Sequence, residues 1–460
     1  MKSPAPPRTA AADNVHGPLF AALTPGVRRI LDGVPDLVDR VFPLPGRFRA
    51  GLPRDVAELS GAFTGSRGSR GMSYLGRPSF LSAYLRYFLP WNLYRLCRLL
   101  PGLPLSLKAG DTVTDTGAGP LTLPAALWIA RPELRTLPLT FRCVDQTGAV
   151  LEAGKRFFFA LLAAETGQAG QGANCPWKIT TLRERWGSAA PRNRDRPPAA
   201  LVTAVNFFNE LYWDIPHTDD RTLRRFAENG ARMLTAAAPA GAVLAVEPGV
   251  PRAGEFITAL RDSLGALGYS PAAPCPHAGP CPLPGGRTGG TKRRWCHFTF
   301  DTGDAPPALL KLSAAAGLPK ERAALSFLLA GPPGAADTVK AAGTAKGTDT
   351  PPGMPVRILS EIFPLPGGKS GRYGCSERGL VLAVSAAGAA AGRVPEKLCP
   401  GALLNVPPPQ EPERRDPKSG ALIIEHFPKT EVLGKPQLKH GGRTGAGDGN
   451  IHCPPLRIDL

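Results

Sequence analysis

The 460-residue sequence lacks any apolar run long enough to cross a membrane. Its longest apolar stretch, around residues 157–162, is less than half of what a transmembrane helix requires. The first fifteen residues lack the apolar core of a signal peptide, and their only basic residues, Lys2 and Arg8, give little support for a transit peptide. No internal repeat is visible. We therefore expect a protein without a membrane partner, located in the cytoplasm.

Acidic residues are scarce relative to basic ones. The chain has 37 Asp and Glu against 55 Lys and Arg, a formal net charge of +18, and its isoelectric point is about 9.8. Such an excess favours RNA as a partner, while DNA is not expected. The alternative explanation of the high basic count is a GC-rich coding sequence, which replaces Lys with Arg and inflates that count. Apolar residues make up 43% of the chain and exclude wholesale disorder, whereas 53 Gly and 52 Pro predict long irregular connections.

The spacing of apolar residues divides the chain into regions. Residues 1–105 show helical spacing without strand-like alternation. Residues 106–330 alternate short apolar strands with amphipathic helices, which predicts an α/β fold with a doubly wound, mostly parallel sheet. Residues 331–355 are rich in Gly, Pro, Ala and Thr and are interpreted as a linker. Residues 356–460 suggest a small C-terminal β-rich module.

In the helical region, arginines are interleaved with aromatic residues. The arginines are Arg67, Arg70, Arg77, Arg86, Arg95 and Arg98, and the aromatic residues are Tyr74, Tyr84, Tyr87 and Trp91. This mixture suits contact with RNA. A solvated basic helix face is the alternative interpretation.

A glycine pair follows the first predicted strand. Asp115 precedes Gly117 and Gly119 at a strand-to-helix turn, where glycine lets the backbone approach a ligand closely. Asp145 ends the next strand and is placed to accept hydrogen bonds from ribose hydroxyls. A dinucleotide-binding domain needs a third glycine near the position of Leu121, so pyrophosphate binding is disfavoured. The pattern resembles class I S-adenosylmethionine-dependent methyltransferases.

The end of the strand over 201–205 completes the predicted cofactor site with Asn206. The following residues, Asn209, Glu210 and Asp214, either line the pocket or act as helix caps and solvated acids. No nucleophile or general base stands out at this point, so the sequence indicates a methyltransferase-like fold without indicating a reaction.

The nine cysteines are an odd set in a large chain, which argues for a reducing compartment and metal ligation rather than disulfides. Cys275, Cys281 and Cys296 fall in a loop rich in Pro and Gly, over residues 273–298, where apolar packing does not explain them. Thiolates on irregular backbone are the ligands of soft metals and iron–sulfur clusters. Cys97 and Cys143 lie in apolar runs and are interpreted as core residues.

The fourth ligand is expected to be distant in sequence. Cys375 is the first candidate, with Cys399 and Cys453 in reserve. A [4Fe-4S] cluster is preferred to zinc, because zinc sites normally use closer cysteine pairs. His277 or His297 would complete a zinc site of three cysteines and one histidine.

Glu247-Pro-Gly followed by an amphipathic helix, then Cys275-Pro-His-Ala-Gly-Pro-Cys281-Pro and Trp295-Cys-His-Phe, resembles the methyltransferase-like small-ribosomal-subunit assembly proteins. These are best known from mitochondria and also occur in bacteria. The resemblance covers about residues 60–385. It implies a protein that binds the small ribosomal subunit and its rRNA and holds an iron–sulfur cluster through four cysteines. It also implies that S-adenosylmethionine is the cofactor of the glycine loop, whether or not methyl transfer occurs.

Overall fold

The computed structural model describes residues 19–64, 77–167, 175–186, 197–212, 215–216, 219–283, 294–332, 353–385, 399–406, 409 and 412–425. Within these ranges, every helix is too short or too polar to span a lipid bilayer. The predicted linker falls largely on residues 333–352, which lie outside the described residues.

The N-terminal region is helical. Its helices are α1 (Pro25–Val41), α2 (Gly46–Arg49), α3 (Leu52–Thr64), α4 (Pro78–Ala83) and α5 (Leu89–Leu99), and a π-helical turn over Tyr84–Phe88 joins the last two. The Thr24 hydroxyl accepts the Val27 N–H and so caps the start of α1. From this start, α1 buries one apolar stripe against the rest of the chain, comprising Ile30, Leu31, Val34, Leu37 and Val38.

Part of the interleaved arginine and aromatic set is buried in this region. Arg86 is 7% exposed, and its guanidinium pairs with Asp39 at 2.9 Å. Tyr87 and Trp91 are each 1% exposed. The interpretation of these three side chains as an RNA-contacting or solvated face is therefore wrong, because they pack inside the molecule. Arg67, Arg70 and Tyr74 lie outside the described residues.

In the described part of the chain, eight strands form the larger sheet. They are β1 (Thr112–Thr116), β2 (Thr140–Asp145), β3 (Lys178–Arg183), β4 (Leu201–Val205), β5 (Ala242–Pro248), β6 (Ser270–Ala273), β7 (Phe298–Asp301) and β8 (Arg322–Gly331). Their order is β3-β2-β1-β4-β5-β8-β6, and β7 also pairs with β8. Strands β1 to β5 are parallel, whereas β8 runs antiparallel to β5, β6 and β7.

Helices connect these strands and cover the sheet. They are α6 (Thr122–Ala130), α7 (Gly148–Thr166), α8 (Phe208–Leu211), α9 (Asp220–Ala237), α10 (Pro251–Ala266) and α11 (Pro307–Ala315). All five residues of β1 are buried, as expected for a central strand covered on both faces. The carboxyl ends of β1, β2 and β4 meet at one edge of the sheet, which places the predicted cofactor residues close together.

A second, smaller sheet forms the C-terminal module. It contains β9 (Met354–Ile358), β10 (Phe363–Pro364), β11 (Ser370–Ser376), β12 (Gly379–Ser385), β13 (Leu403–Val406) and β14 (Leu422–Ile424). Its strands follow the order β13-β9-β11-β12-β14, with β10 paired to β11. One face packs against the cysteine loop through a cluster that includes Leu283, Leu380 and Leu382. Leu283, in the described part of the cysteine loop, therefore packs against the C-terminal module.

Candidate functional site

Four of the predicted ligands, Cys275, Cys281, Cys296 and Cys375, line one cavity between the two sheets. The first two lie in the loop that follows β6, and Cys296 lies just before β7, so all three belong to the larger domain. Cys375 lies on β11 of the smaller sheet. The cavity encloses about 310 Å³, part of it open to solvent. Residues separated by up to 100 positions in sequence thus meet only through tertiary packing.

Side chains on the larger domain fix the loops that carry the thiols. The Thr258 hydroxyl donates to the Leu283 carbonyl at 3.3 Å, and the Ser326 hydroxyl donates to the Cys296 carbonyl at 2.8 Å. The Trp295 indole N–H donates to the Gly249 carbonyl at 3.1 Å. These bonds give backbone carbonyls a partner and hold irregular backbone in one conformation.

Burial and a nearby arginine set the electrostatics of the cavity thiols. Burial raises the pKa of all four thiols, those of Cys275, Cys281, Cys296 and Cys375. Without a metal, these side chains therefore stay neutral at physiological pH. Arg261 donates from Nε to the Cys275 Sγ at 3.3 Å.

A histidine also contacts the thiols. His277 lines the cavity, and its Nε2 lies 3.3 Å from the Cys375 Sγ. His297 instead stacks on the ring of Trp295, with centroids 4.7 Å apart, and is not among the residues lining the cavity. Of the two histidines considered for a zinc site, His277 is therefore the one at the cavity.

The donor set has the chemistry of a soft-metal site, because four thiols converge on one space. Among the described residues, no group of three or more His, Cys, Asp or Glu side chains is arranged to hold a single metal ion. One zinc ion bound to four sulfurs at about 2.3 Å needs those sulfurs packed around one point. A four-iron cluster spreads its cysteine ligands over separate irons and fits a wider cavity.

The other cysteines do not line this cavity. Cys399 is exposed, Cys175 is half-buried, and Cys97 and Cys143 are buried in the core. Cys453 lies outside the described residues. Among the candidates that the structure describes for a fourth ligand, Cys375 is the one that lines the cavity.

The glycine loop lies at the carboxyl edge of the larger sheet. Gly117 and Gly119 have φ values of +66° and +52°, in the left-handed region that glycine adopts readily. The Gly119 N–H donates to Asp145 Oδ2 at 3.0 Å, and the Thr147 N–H donates to Oδ1 at 2.8 Å. A carboxylate has about four acceptor positions, so Asp145 keeps capacity for a further donor. A Cβ on Gly119 would meet only the Tyr84 hydroxyl, 4.0 Å away, which leaves open space above the loop.

Asp115 has a different role from Asp145. Its side chain is buried, and Oδ1 accepts the Thr203 hydroxyl at 2.6 Å. Burial raises its pKa to about 7, and the hydrogen bond from Thr203 opposes that rise. Asp115 therefore links β1 to β4 through its side chain.

The segment after β4 packs on the loop. Asn206 has φ of +51°, an unusual conformation for a residue other than glycine. The Phe207 ring contacts Gly117 so closely that a Cβ there would lie 2.1 Å from it. Glu247, at the end of β5, accepts the backbone N–H groups of Phe208 at 2.8 Å and Asn209 at 3.1 Å. These contacts fix the chain beside the predicted cofactor site.

Sequence reasoning missed Tyr84 and Arg95 as neighbours of this site. Burial raises the pKa of Tyr84, and the nearby carboxyl groups of Glu210 and Asp145 raise it further. Arg95 donates to Asn92 Oδ1 at 2.9 Å, and its buried Nε has no hydrogen-bond partner among the described residues. The π-helical turn sets the rotation of Tyr84. An extra residue in one helical turn leaves no signal in the apolar spacing.

One family matches part of the sequence. Residues 221–305 match the family described as mitochondrial small ribosomal subunit Rsm22. The matched segment runs from α9 to just beyond β7 and contains Cys275, Cys281 and Cys296. Over these residues, the resemblance inferred from the cysteine and Trp-Cys-His motifs is confirmed, while the iron–sulfur cluster stays a prediction. None of the curated proteins compared with this chain matches it.

Solved structures with low identity also align. A methyltransferase of Geobacter sulfurreducens in complex with S-adenosylhomocysteine is 13% identical, with 53% of this chain and 91% of that chain covered and a TM-score of 0.27. A geranyl diphosphate C-methyltransferase of Streptomyces coelicolor is 12% identical, with coverages of 63% and 98% and a TM-score of 0.27. Scores this low do not establish a fold. The strand order, with antiparallel β8 between β5 and β6, is that of the class I methyltransferase-like fold, and the predicted fold class is confirmed.

Proposed function

We propose, from the match of residues 221–305 to the Rsm22 family, that this protein acts in assembly of the small ribosomal subunit and binds its rRNA. The net charge of +18 supports an RNA partner, because neutralising phosphates is the main source of affinity for nucleic acids. The family description refers to mitochondria, whereas a cytoplasmic location stays a prediction for this chain.

The proposed metal centre is a [4Fe-4S] cluster held by Cys275, Cys281, Cys296 and Cys375. The observation that carries it is the cavity lined by all four thiols, three of them from the family-matched segment. Bound there, the cluster would supply a rigid inorganic crosslink between the two sheets. A zinc ion held by three of the cysteines and His277 is the alternative, and it would require these side chains to move closer together.

S-adenosylmethionine is the proposed cofactor of the glycine loop, and it would supply an activated methyl group. Gly119, with open space above it, and Asp145, with acceptor capacity left, fit such a ligand. Asp115 fixes the strand that leads into the glycine loop, and Gly117 and Asn206 lie beside the proposed cofactor position. A catalytically active RNA methyltransferase is the second candidate function, favoured by this glycine loop beside an acidic strand end.

The first experiment tests whether the four cysteines hold a metal and whether binding to the small subunit depends on it. The protein is purified anaerobically as wild type, Cys281→Ser and Cys175→Ser, where Cys175 is half-buried and does not line the cavity. Iron and zinc are quantified, visible spectra recorded, and cosedimentation with small ribosomal subunits measured. We expect iron, visible absorbance and subunit binding for wild type and Cys175→Ser, with all three reduced in Cys281→Ser. Colourless, metal-free wild-type protein would overturn the metal centre.

A second experiment tests the cofactor and the enzyme. S-adenosylmethionine binding is measured by calorimetry for the wild type and for Gly119→Val, whose branched side chain both enters the open space and strains the backbone at a φ of +52°. We expect binding by the wild type and none by the variant. Methylation mapping of rRNA in a deletion strain then separates the two functions, because a lost methyl mark indicates turnover and an unchanged map indicates a scaffold.

A further inference from the structure

Two buried arginines face the cysteine cavity from opposite domains. Arg261 lies on α10 of the larger domain, and Arg357 lies on β9 of the C-terminal module. Both line the cavity, with exposures of 7% and 6%. A buried cation is costly unless a counter-charge compensates it, so this pair needs an explanation.

Arg261 holds the first half of the cysteine loop. Its Nε donates to the Cys275 Sγ at 3.3 Å, and its Nη2 donates to the His277 carbonyl at 3.2 Å and to the Gly279 carbonyl. Its ion pair is with Asp262 at 3.4 Å, whose side chain is 63% exposed. A solvated carboxylate at this distance compensates little of a buried charge.

Arg357 reaches the same loop from the other side. Its Nε donates to the Pro274 carbonyl at 3.0 Å, and its Nη1 donates to the Gly401 carbonyl at 2.7 Å. It pairs with Cys375 in the register between β9 and β11, so the two residues occupy one rung of the sheet. Among the described residues, Arg357 has no ion pair. Its hydrogen bonds are therefore to neutral carbonyls, in a cavity that it shares with the four thiols.

The partners of the two guanidinium groups carry little negative charge. Arg261 and Arg357 bond to neutral carbonyls and to the Cys275 Sγ, and their one ion pair among the described residues is with the exposed Asp262. Four thiolates on a [4Fe-4S] core carry a net double negative charge, which matches the two guanidinium groups.

We propose that Arg261 and Arg357 are the built-in counter-charge of a four-thiolate metal centre, so that occupation of the cavity docks the C-terminal sheet against the larger domain. This inference rests on the proposed metal centre. It assigns the two arginines as positioning residues, since Arg261 orients a ligand thiol and Arg357 ties β9, the strand paired with the one that supplies Cys375, to the loop that supplies Cys275.

The test uses the full chain with Gln and Lys at each arginine. Arg252→Gln is the matched control, because Arg252 lies on α10, is buried, pairs with Glu255 at 2.9 Å and does not line the cavity. Metal affinity is measured by competition with a chelator. We expect Arg261→Gln and Arg357→Gln to lower it roughly 10–100-fold, as for other outer-shell partners. Arg261→Lys and Arg357→Lys should retain most of the metal affinity, and Arg252→Gln should leave it unchanged.

A second readout follows the docking itself. Hydrogen exchange is compared between metal-containing and metal-stripped wild type, and we expect β9, β11 and β12 to lose protection while β1 and β4 keep theirs. This inference alone would be overturned if the Gln variants bound metal as tightly as the wild type, or if the Lys variants or Arg252→Gln lost as much metal affinity as the Gln variants. Hydrogen exchange that does not change on removal of the metal would also overturn it. Wild-type protein without metal would overturn the proposed centre as well.

Discussion

Gly254 on α10 offers a direct test of how the cysteine loop is packed. A Cβ at this position would lie 2.6 Å from Cβ and Cδ1 of Trp295. The indole cannot move away freely, because its N–H is bonded to the Gly249 carbonyl and its ring stacks on His297. Trp295 directly precedes Cys296, so a displaced indole also displaces a proposed ligand.

The expected magnitude follows from two opposing effects. Replacing an interior helical glycine with alanine normally stabilises by roughly 0.5–1 kcal/mol, because it removes backbone freedom from the unfolded chain. Forcing a methyl group into a packed site costs about 1–3 kcal/mol. For Gly254→Ala we therefore expect a net loss of up to about 2.5 kcal/mol in the free energy of unfolding. The proposed metal should also be retained less well.

The same helix supplies the control. Gly265 has nothing within 4 Å of an added Cβ, so Gly265→Ala should be neutral or stabilising by up to about 1 kcal/mol. Urea unfolding of wild type and both variants, with metal content measured on the same samples, gives the comparison. If Gly254→Ala proved as stable as Gly265→Ala and kept its metal, the packing of Trp295 against α10 would be refuted.

Three further predictions concern buried polar groups. Burial raises the pKa of the Glu247 carboxyl from 4.5 to about 8, although hydrogen bonds from the Phe208 and Asn209 N–H groups oppose the rise. The native state therefore binds a proton at Glu247 more tightly than the unfolded chain does. Stability should then fall as pH rises from about 4.5 to about 8, and Glu247→Gln should flatten that dependence in urea unfolding; an unchanged slope would contradict it. Thr203→Val removes the 2.6 Å hydrogen bond to Asp115 and should cost roughly 1.5–3 kcal/mol in chemical denaturation, with a wild-type midpoint counting against it. Tyr94→Phe removes a hydroxyl that donates to the carboxylate of Asp304, so we expect a loss of roughly 1.5–3 kcal/mol, and a melting temperature equal to wild type would refute it.

Much of the larger domain could be predicted from local patterns. Short apolar runs followed by Asp115, Asp145 and Asn206 indicated strands whose polar ends share one edge. That inference is possible because parallel strands with intervening helices present their carboxyl ends together. The fold class follows from the same alternation and is confirmed. The strand over Lys178–Arg183 was missed, because its residues are largely half-buried or exposed and show no apolar run.

The thiols were recognisable one by one, since their Pro- and Gly-rich surroundings do not explain them as core residues. Their convergence was not derivable from spacing. Cys375 pairs with Arg357 through the register of β9 and β11, and register depends on which strands meet. The donation from Arg261 to Cys275 likewise depends on how α10 packs beside the loop.

By itself, the sequence determined where strands and helices alternate, which turns admit a ligand and which cysteines lack a packing reason. These properties are local, because they depend on apolar period, turn residues and immediate neighbours. Tertiary structure alone decided the antiparallel insertion of β8, the rotation of Tyr84 and the meeting of four thiols with two buried arginines. Apolar spacing specifies which face of an element is buried, but it does not specify the neighbour, direction or register against which that face packs.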